Sequence, residues 1–316
     1  MFEGAIGLIK KSQKILLLTH KEPDGDALGS LLALSTVLLK LDKKINPILD
    51  GKLASNFLFL PGIKMLDTAI TTENDLIIML DLPEIKRSNF LTQIKLMLQS
   101  TPSILIDHHP RGDLYELSTF KIHNLEASAT SEILYSFINT LAVPISRDIA
   151  THLLTGIFTD TNGFQNSNTT PLTFKIASSL ISAGARIGQI AQHILYHKSS
   201  GGLKLWGRAM QRLWHNKKYN LLVTFLTQED FLECGVDEDA ASGIVNFLNI
   251  NSFPPANATL LLIEKDGKIK GSLRTQKDSV NVRNLASVLG GGGHKKAAGF
   301  EIKGALQHIK GQWKVV

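Results

Sequence analysis

The chain is nearly free of cysteine. Cys234 is the single one in 316 residues, so no internal disulfide can form and a reducing compartment is expected. With no second thiol, a thiolate-built zinc site is excluded as well. No apolar run approaches the roughly 18 residues that span a bilayer, which removes a helical membrane span. The first residues, 1–14, carry Glu3 ahead of any lysine and lack a small-residue cleavage pattern, so they do not read as a signal peptide. There is no repeat of fixed period and no low-complexity segment beyond Gly290–Gly293. A soluble, cytoplasmic protein is the expectation these absences leave.

What is present is a globular composition, 43% hydrophobic and 20% charged, in a chain long enough for two domains with separate cores. The net charge of +6 suits a phosphate-bearing partner, although many soluble proteins share such a balance.

The chain is organised around Thr19–Ser30. An apolar strand-like run, Ile15–Leu18, leads into it and a helical pattern follows, so His20, Asp24 and Asp26 fall on a strand-to-helix loop. A Pro-, Asp- and Gly-rich turn in which Asp26 caps the helix is the plain alternative to a metal site, in which Gly25 would let the chain turn between the two aspartates. Two further apolar runs repeat the pattern: Leu76–Leu80 ends in Asp81, and Ile104–Ile106 ends in Asp107-His108-His109. Strands buried on both faces and alternating with helices imply a parallel sheet, whose carboxyl ends share one edge where α/β proteins keep their chemistry. A helix over 147–158 runs toward Asp160, in a polar turn that Gly163 closes.

Asp24, Asp26, Asp81 and Asp160 together carry four negative charges, with His20 and His108 as neutral ligands. Clustered carboxylates repel and raise one another's pKa values unless cations balance them. Two divalent ions supply that balance, most simply with the central Asp81 as the shared ligand. Oxygen and imidazole donors without thiolate favour manganese or magnesium. Asp107 reads as a residue that orients an imidazole, and His123, His152, His193, His197, His215 and His308 read as fillers. Arg87 has two open readings, substrate-facing or surface.

The second half has a different texture. Strands are predicted over 219–225 and 258–264, with a hairpin turn at Asp266-Gly267 and a helix over 282–289. Gly290–Gly293 followed by His294 reads as an anion loop, its glycines preceding a helix start and letting backbone N–H groups approach a phosphate, with Arg274 as a guanidinium for bidentate contact.

At this point the residues resemble the DHH phosphoesterase superfamily. The matching motifs are His20-x3-Asp24-x-Asp26, Asp81, Asp107-His108-His109, Asp160 within Thr159-Asp160-Thr161, and Gly290–His294 with Ala297-Ala298-Gly299. In layout, a bare two-domain chain of this length looks like the nanoRNase branch, oligoribonucleases that also act on pAp. The resemblance implies a two-manganese site, with magnesium the other candidate. His20, Asp24 and Asp81 would serve one ion and Asp26, Asp81, His108 and Asp160 the other. It implies that His109 meets the scissile phosphate, and that Arg274, Gly291, Gly292, Gly293 and His294 hold the substrate's nucleotide end across an inter-domain cleft. One departure is plain: relatives often carry an asparagine shortly after the triplet, where this chain has Pro110-Arg111-Gly112-Asp113.

The resulting expectation is an α/β protein with a parallel-sheet DHH domain over 1–185, a helical linker over 186–215 and a smaller mixed-sheet DHH-associated domain over 216–316. Its activity would be manganese-dependent hydrolysis of short RNA or DNA oligonucleotides to mononucleotides, with pAp as a further substrate and a homodimer compatible with the sequence. Rival readings are a cyclic dinucleotide phosphodiesterase, an inorganic pyrophosphatase and a catalytically silent nucleotide-binding module.

Overall fold

The three apolar runs that end in an acid or a histidine form the middle of one parallel sheet. A computed structural model describes residues 2–71, 73–196, 199–251, 256–309 and 312–316. The chain divides into two compact units, Met1–His197 and Lys198–Val316.

The first unit runs α1 (Glu3–Lys11), β1 (Lys14–Leu18), α2 (Gly25–Lys40), β2 (Lys44–Pro47), β3 (Leu76–Leu80), α3 (Leu91–Met97), β4 (Ser103–Asp107), α4 (Asp113–Leu117), β5 (Phe120–His123), α5 (Thr130–Thr140), α6 (Arg147–Asp160), α7 (Pro171–Ser182) and α8 (Ile187–Ala191). Its sheet has the order β2-β1-β3-β4-β5, parallel throughout. The continuous apolar texture of β3 follows from its position, since all five of its residues are buried. On one face Leu17, Ile78 and Ile106 pack with Leu31, Leu134 and Leu153 of the helices. On the other face Leu16, Ile77 and Leu105 pack with Ile94 and Leu114. Each such side chain contributes about 1.5–3 kcal/mol by burial, so truncation in this layer is costly. Strand β5 escapes the sequence reading because Phe120-Lys121-Ile122-His123 is short, and as an edge strand it needs one buried residue, Ile122, rather than a run.

The start of α2 corrects the expectation for Asp26. The cap is Asp24, whose Oδ1 accepts the backbone N–H groups of Asp26 and Ala27, each at 3.0 Å. A cap of this kind is worth about 1 kcal/mol. Asp26 instead sits in the first turn, fully buried. Gly25 does not serve as a turn glycine either. It is helical, and a Cβ there would lie 2.4 Å from the Thr159 side chain. Gly29 meets the His152 carbonyl in the same way, at 2.4 Å, so α2 and α6 approach backbone to backbone. That close crossing brings Asp26 and Asp160 together.

The second unit runs α9 (Ser200–Gln211), β6 (Trp214–Asn216), β7 (Leu221–Leu226), α10 (Gln228–Cys234), α11 (Ile244–Asn251), β8 (Ala258–Lys265), β9 (Lys268–Arg274), α12 (Val282–Val288), β10 (Gly292–Gly293), β11 (Ala297–Lys303), β12 (Leu306–Ile309) and β13 (Gln312–Val315). The 186–215 stretch thus spans α8 in the first unit and α9 in the second. The six-stranded sheet has the order β10-β11-β9-β8-β7-β6, antiparallel except for β7 with β8. The hairpin between β8 and β9 turns on Asp266 and Gly267, both left-handed at φ 48° and 72°, as a tight two-residue turn requires. The four glycines correct a second expectation. They follow the end of α12 and enter a β-hairpin, with no helix start after them. Their smallness has a local reason: a Cβ on Gly291 would sit 2.1 Å from the Gly299 carbonyl.

Candidate metal centre

At the carboxyl edge of the first sheet, His20 follows β1, Asp81 follows β3, and Asp107 closes β4 ahead of His108 and His109. Asp24 arrives as the cap of α2, Asp26 on its first turn, and Asp160 on the last residue of α6. Three groups of side chains each bring ligand atoms within 4.8 Å of one another: His20–Asp24–Asp81, Asp26–His108–Asp160, and Asp81–His108–His109. Asp81 joins the first and third of these, and His108 the second and third.

Asp81 is 1% exposed and has a left-handed backbone, φ 56°. Such a conformation costs a non-glycine residue on the order of 1 kcal/mol, and aspartate is among those that tolerate it best. The reward is orientation. Its Oδ2 lies 3.5 Å from His20 Nε2, and its Oδ1 lies 3.1 Å from His109 Nδ1 and 3.7 Å from His108 Nε2. The Thr130 hydroxyl donates to Oδ1 at 3.0 Å.

Asp26 is held differently. Its two oxygens accept backbone N–H groups at the start of α5, Thr130 N to Oδ2 at 2.6 Å and Ser131 N to Oδ1 at 2.9 Å. The N-terminus of a helix favours an anion through its unpaired amides and dipole. Ser30 Oγ also donates to Oδ1, at 3.3 Å.

The electrostatics sort the two acids in opposite directions. Burial pushes the Asp26 carboxyl well above its usual range, and the charges of Asp81 and Asp160 push it the same way. Burial also works against ionised Asp81, but hydrogen bonds from His109 and His20 and the charges of His109 and His108 outweigh it and hold Asp81 well below the usual range. For Asp160, burial is the largest cause of a rise to about 6. Burial opposes the charged form of His109, yet its bonds to Asp107 and Asp81 raise it to about 11. His108 is raised to about 10, its burial overcome by Asp160 and Asp81. In the metal-free protein, protons supply the positive charge this cluster needs.

The donor set fits divalent cations. His20 Nδ1 faces the Lys21 carbonyl at 2.9 Å and His108 Nδ1 faces the Ala127 carbonyl at 3.3 Å. A carbonyl partner fixes the proton on Nδ1 and turns the Nε2 lone pair of the neutral ring toward the cluster, as in metal-ligating histidines. Both Nε2 atoms are buried and face carboxylates, with an Asp81 oxygen 3.5 Å from His20 Nε2 and an Asp160 oxygen 3.2 Å from His108 Nε2. Ligands bound at about 2.0–2.2 Å to one ion lie roughly 3.0–3.5 Å apart, which matches these separations.

His109 is oriented from two sides. Asp107 Oδ1 accepts its backbone N–H at 2.7 Å and faces its Nδ1 at 3.0 Å. His123 on β5 places its Nε2 2.6 Å from the His109 carbonyl. His123 and Thr130 were missed by sequence reasoning. Each lies far from the motifs in sequence, and only the strand register, which pairs Asp107 with His123, brings the first of them in. Arg87 is half-buried, and its positive charge acts on His20. Its carbonyl accepts the Lys21 N–H at 2.7 Å, so the two loops are tied. His152, read as a filler, is one, buried with Nε2 2.9 Å from the Pro61 carbonyl. His197 lies outside the described residues.

The remaining site candidates lie on the second unit. Arg274 is half-buried, its Nε donating to Asn246 Oδ1 at 2.7 Å and an Nη1 to the Leu273 carbonyl at 2.9 Å. It pairs in register with Ala297, while Gly292 and Gly293 pair with Gly299 and Ala298. Arg274, Gly291–Gly293 and His294 therefore share one end of the β9–β11 ladder.

Fold and site together define an α/β protein with a carboxylate–imidazole centre at the carboxyl edge of a parallel sheet, joined to a mixed-sheet second unit. The chain belongs to the DHH family: residues 14–157 match the DHH family, N-terminal domain, and residues 218–311 match the DHHA1 domain. It is 29% identical, over 92% of its length and 84% of the relative's, to the bifunctional oligoribonuclease and PAP phosphatase NrnA of Thermus thermophilus. It is 26% identical to the cyclic-di-AMP phosphodiesterase GdpP of Geobacillus thermodenitrificans, over 93% of this chain and 45% of that one. Among solved structures, an exopolyphosphatase-related protein from Bacteroides fragilis superposes with a TM-score of 0.88 at 27% identity, covering 96% of this chain and 91% of that one. No helix among the described residues is long and apolar enough to cross a membrane.

Proposed function

We propose that this protein is a manganese-dependent phosphoesterase that hydrolyses short oligonucleotides to mononucleotides and removes the 3′-phosphate of pAp. The observation that carries the reading is the arrangement of ligand groups His20–Asp24–Asp81 and Asp26–His108–Asp160, with Asp81 within 3.7 Å of His108 and 3.5 Å of His20. Similarity to the NrnA relative over most of both chains supports the substrate class.

His20, Asp24 and Asp81 would hold one ion, and Asp26, His108 and Asp160, with Asp81 shared, the other. Bound divalent ions supply Lewis-acid polarisation of the phosphoryl group and lower the pKa of water. The chain's own residues do the rest. Asp107 keeps the His109 ring in one orientation through Nδ1, which leaves the leaving-group proton to Nε2, the general-acid role. In the metal-free protein Asp107 and then Asp81 favour the charged form of that ring. Arg274, Gly291, Gly292, Gly293 and His294 are assigned to the nucleotide end of the substrate, the guanidinium for phosphate and the glycine backbone for close approach. Magnesium is the alternative ion, since both are hard cations taking oxygen and imidazole.

The test is a substrate panel: a dinucleotide, pAp and inorganic pyrophosphate, each with manganese, with magnesium and with a chelator. Manganese-stimulated release of mononucleotides is the expected result, and chelator-insensitive hydrolysis of the dinucleotide overturns it. The likeness to the GdpP relative favours a second reading, opening of cyclic dinucleotides. A faster rate on cyclic than on linear diadenylate would select it.

A further inference from the structure

Beside the triplet two cations share one aromatic ring, Arg111 from the loop before α4 and Lys121 from β5, the sheet's outer strand. The Arg111 guanidinium carbon stands 4.3 Å from the centroid of Tyr115, and Lys121 Nζ stands 5.8 Å from it. Arg111 is exposed and Lys121 half-buried. Among the described residues neither forms an ion pair, whereas Lys14, Lys86 and Lys296 each do. The nearest acid in sequence, Asp113, is occupied: its Oδ1 accepts the Ile85 N–H at 2.9 Å. Two like charges drawn to one ring without an ion-pair partner are mutually repulsive, and an anion relieves that repulsion.

The ring is coupled to the reacting end of the site. Tyr115 meets His123 edge to face, with centroids 5.3 Å apart and planes at 75°. His123 in turn faces the His109 carbonyl at 2.6 Å. Arg111 itself lies two residues beyond His109. A guanidinium that rests its face on an aromatic ring keeps its N–H edges for a phosphate, and the ring limits the freedom it would otherwise lose on binding.

We propose that Arg111 and Lys121, preorganised on Tyr115, form a phosphate subsite next to the Asp107-His108-His109 triplet that binds a second phosphate of the oligonucleotide, one nucleotide away from the bond being cut. The proposal rests on the phosphoesterase reading above and deepens it. It makes phosphate spacing, rather than base identity, a determinant of which short chains are processed. It also gives a use to Arg111, in the stretch that follows the triplet.

The test compares the parent with an Arg111→Ala, Lys121→Ala double variant on two substrates, with manganese present. One is 5′-phosphorylated diadenylate, with two phosphates. The other is thymidine 5′-p-nitrophenyl phosphate, with one. For the two-phosphate substrate KM rises roughly ten-fold or more and kcat stays within about two-fold, the scale of one or two lost charge-assisted contacts. The dependence of log KM on log salt becomes shallower by about one to two. The one-phosphate substrate is cleaved within about two-fold of the parent rate. Equal losses on both substrates, or no loss on diadenylate, overturns the subsite. Arg111→Gln, at an exposed position, serves should the double variant melt early. Anisotropy of labelled 5′-phosphorylated diadenylate on the metal-free protein separates the two levels of inference. If the parent hydrolyses neither substrate, the phosphoesterase reading fails, while the subsite still predicts a roughly ten-fold weaker Kd for the double variant and falls if the Kd is unchanged.

Discussion

In the first unit, Asp26, Asp81 and Asp107 are each at most 1% exposed, and every one of them is engaged by named donors. In the second, Gly292, Gly293 and His294 are exposed, and the chemistry on offer is backbone and cation. The difference follows from the sheets that carry them. A parallel sheet covered on both faces delivers strand ends into a buried edge, where a low dielectric makes each charge costly unless another answers it. An antiparallel hairpin ends in solvent, and here residues without a Cβ let its strands approach closely, as Gly291 does at the Gly299 carbonyl. One region is built by charge compensation and the other by absence of side chain.

The largest effect should come from breaking the compensation. Asp81→Asn keeps the shape and removes the charge shared by His20, His108 and His109. Hydrolysis is expected to fall by at least about 10²–10³-fold, the scale of one lost electrostatic partner in a site. Calorimetry should show manganese uptake lost or reduced to one weak ion, and two tight sites in this variant would sink the shared-ligand assignment.

The proton balance gives a second test. In the metal-free protein burial and the neighbouring acids hold Asp26 up, and His108 sits at about 10. Ions can enter only as protons leave, so apparent manganese affinity should rise with pH by up to about ten-fold per unit for each proton displaced. Titrations in buffers of different ionisation enthalpy would count those protons. The sign reverses for metal-free stability. The folded values of His108 and His109, about 10 and 11, lie above the unfolded value near 6.5. Their contribution is full below about pH 6.5 and lost as pH rises through about 10–11, so chelated protein should melt earlier at pH 10 than at pH 7.

Among the described residues the second unit has one buried acid, Asp230, against which to sharpen the comparison. Burial would raise Asp230, but bonds from Arg212, Thr227 and Arg208 hold it at about 2. Stability from this group is present above about pH 4 and is lost as pH falls through about 2. Asp230→Asn should cost about 1–3 kcal/mol in chemical denaturation and leave manganese binding to the first unit unchanged.

A pair of glycines supplies the smallest contrast. A Cβ on Gly156 would lie 2.1 Å from Ser131 Oγ and 2.5 Å from Asp26 Oδ1. Gly156→Ala is expected to cost about 1–3 kcal/mol and to weaken metal binding by displacing the Asp26 cradle. Gly292 has nothing within 4 Å of a Cβ, so Gly292→Ala should fall within about 0.5 kcal/mol of the parent. Equal costs at the two positions would break the distinction between the units.

Much of this was legible in the sequence because the physics is local. Ile15–Leu18, Leu76–Leu80 and Ile104–Ile106 are apolar on both faces, a pattern that suits a covered parallel sheet, and such a sheet places His20, Asp81 and Asp107 at one edge. The hairpin at Asp266-Gly267 was equally readable, since two left-handed residues in sequence have few other uses. The identity of the cap on α2 was not readable. Asp24 and Asp26 both suit a helix start, and the choice was made by the amides of Thr130 and Ser131, a hundred residues away, which claim Asp26. His123 became visible only through its register with Asp107, and Gly25 and Gly29 only through the crossing of α2 with α6. The sequence by itself determined which residues reach the sheet edge, because periodicity and strand ends are properties of a few adjacent side chains. Tertiary structure alone decided which oxygen faces which nitrogen, and hence which acid keeps its proton, because those energies depend on burial and on charges that meet only when distant segments pack.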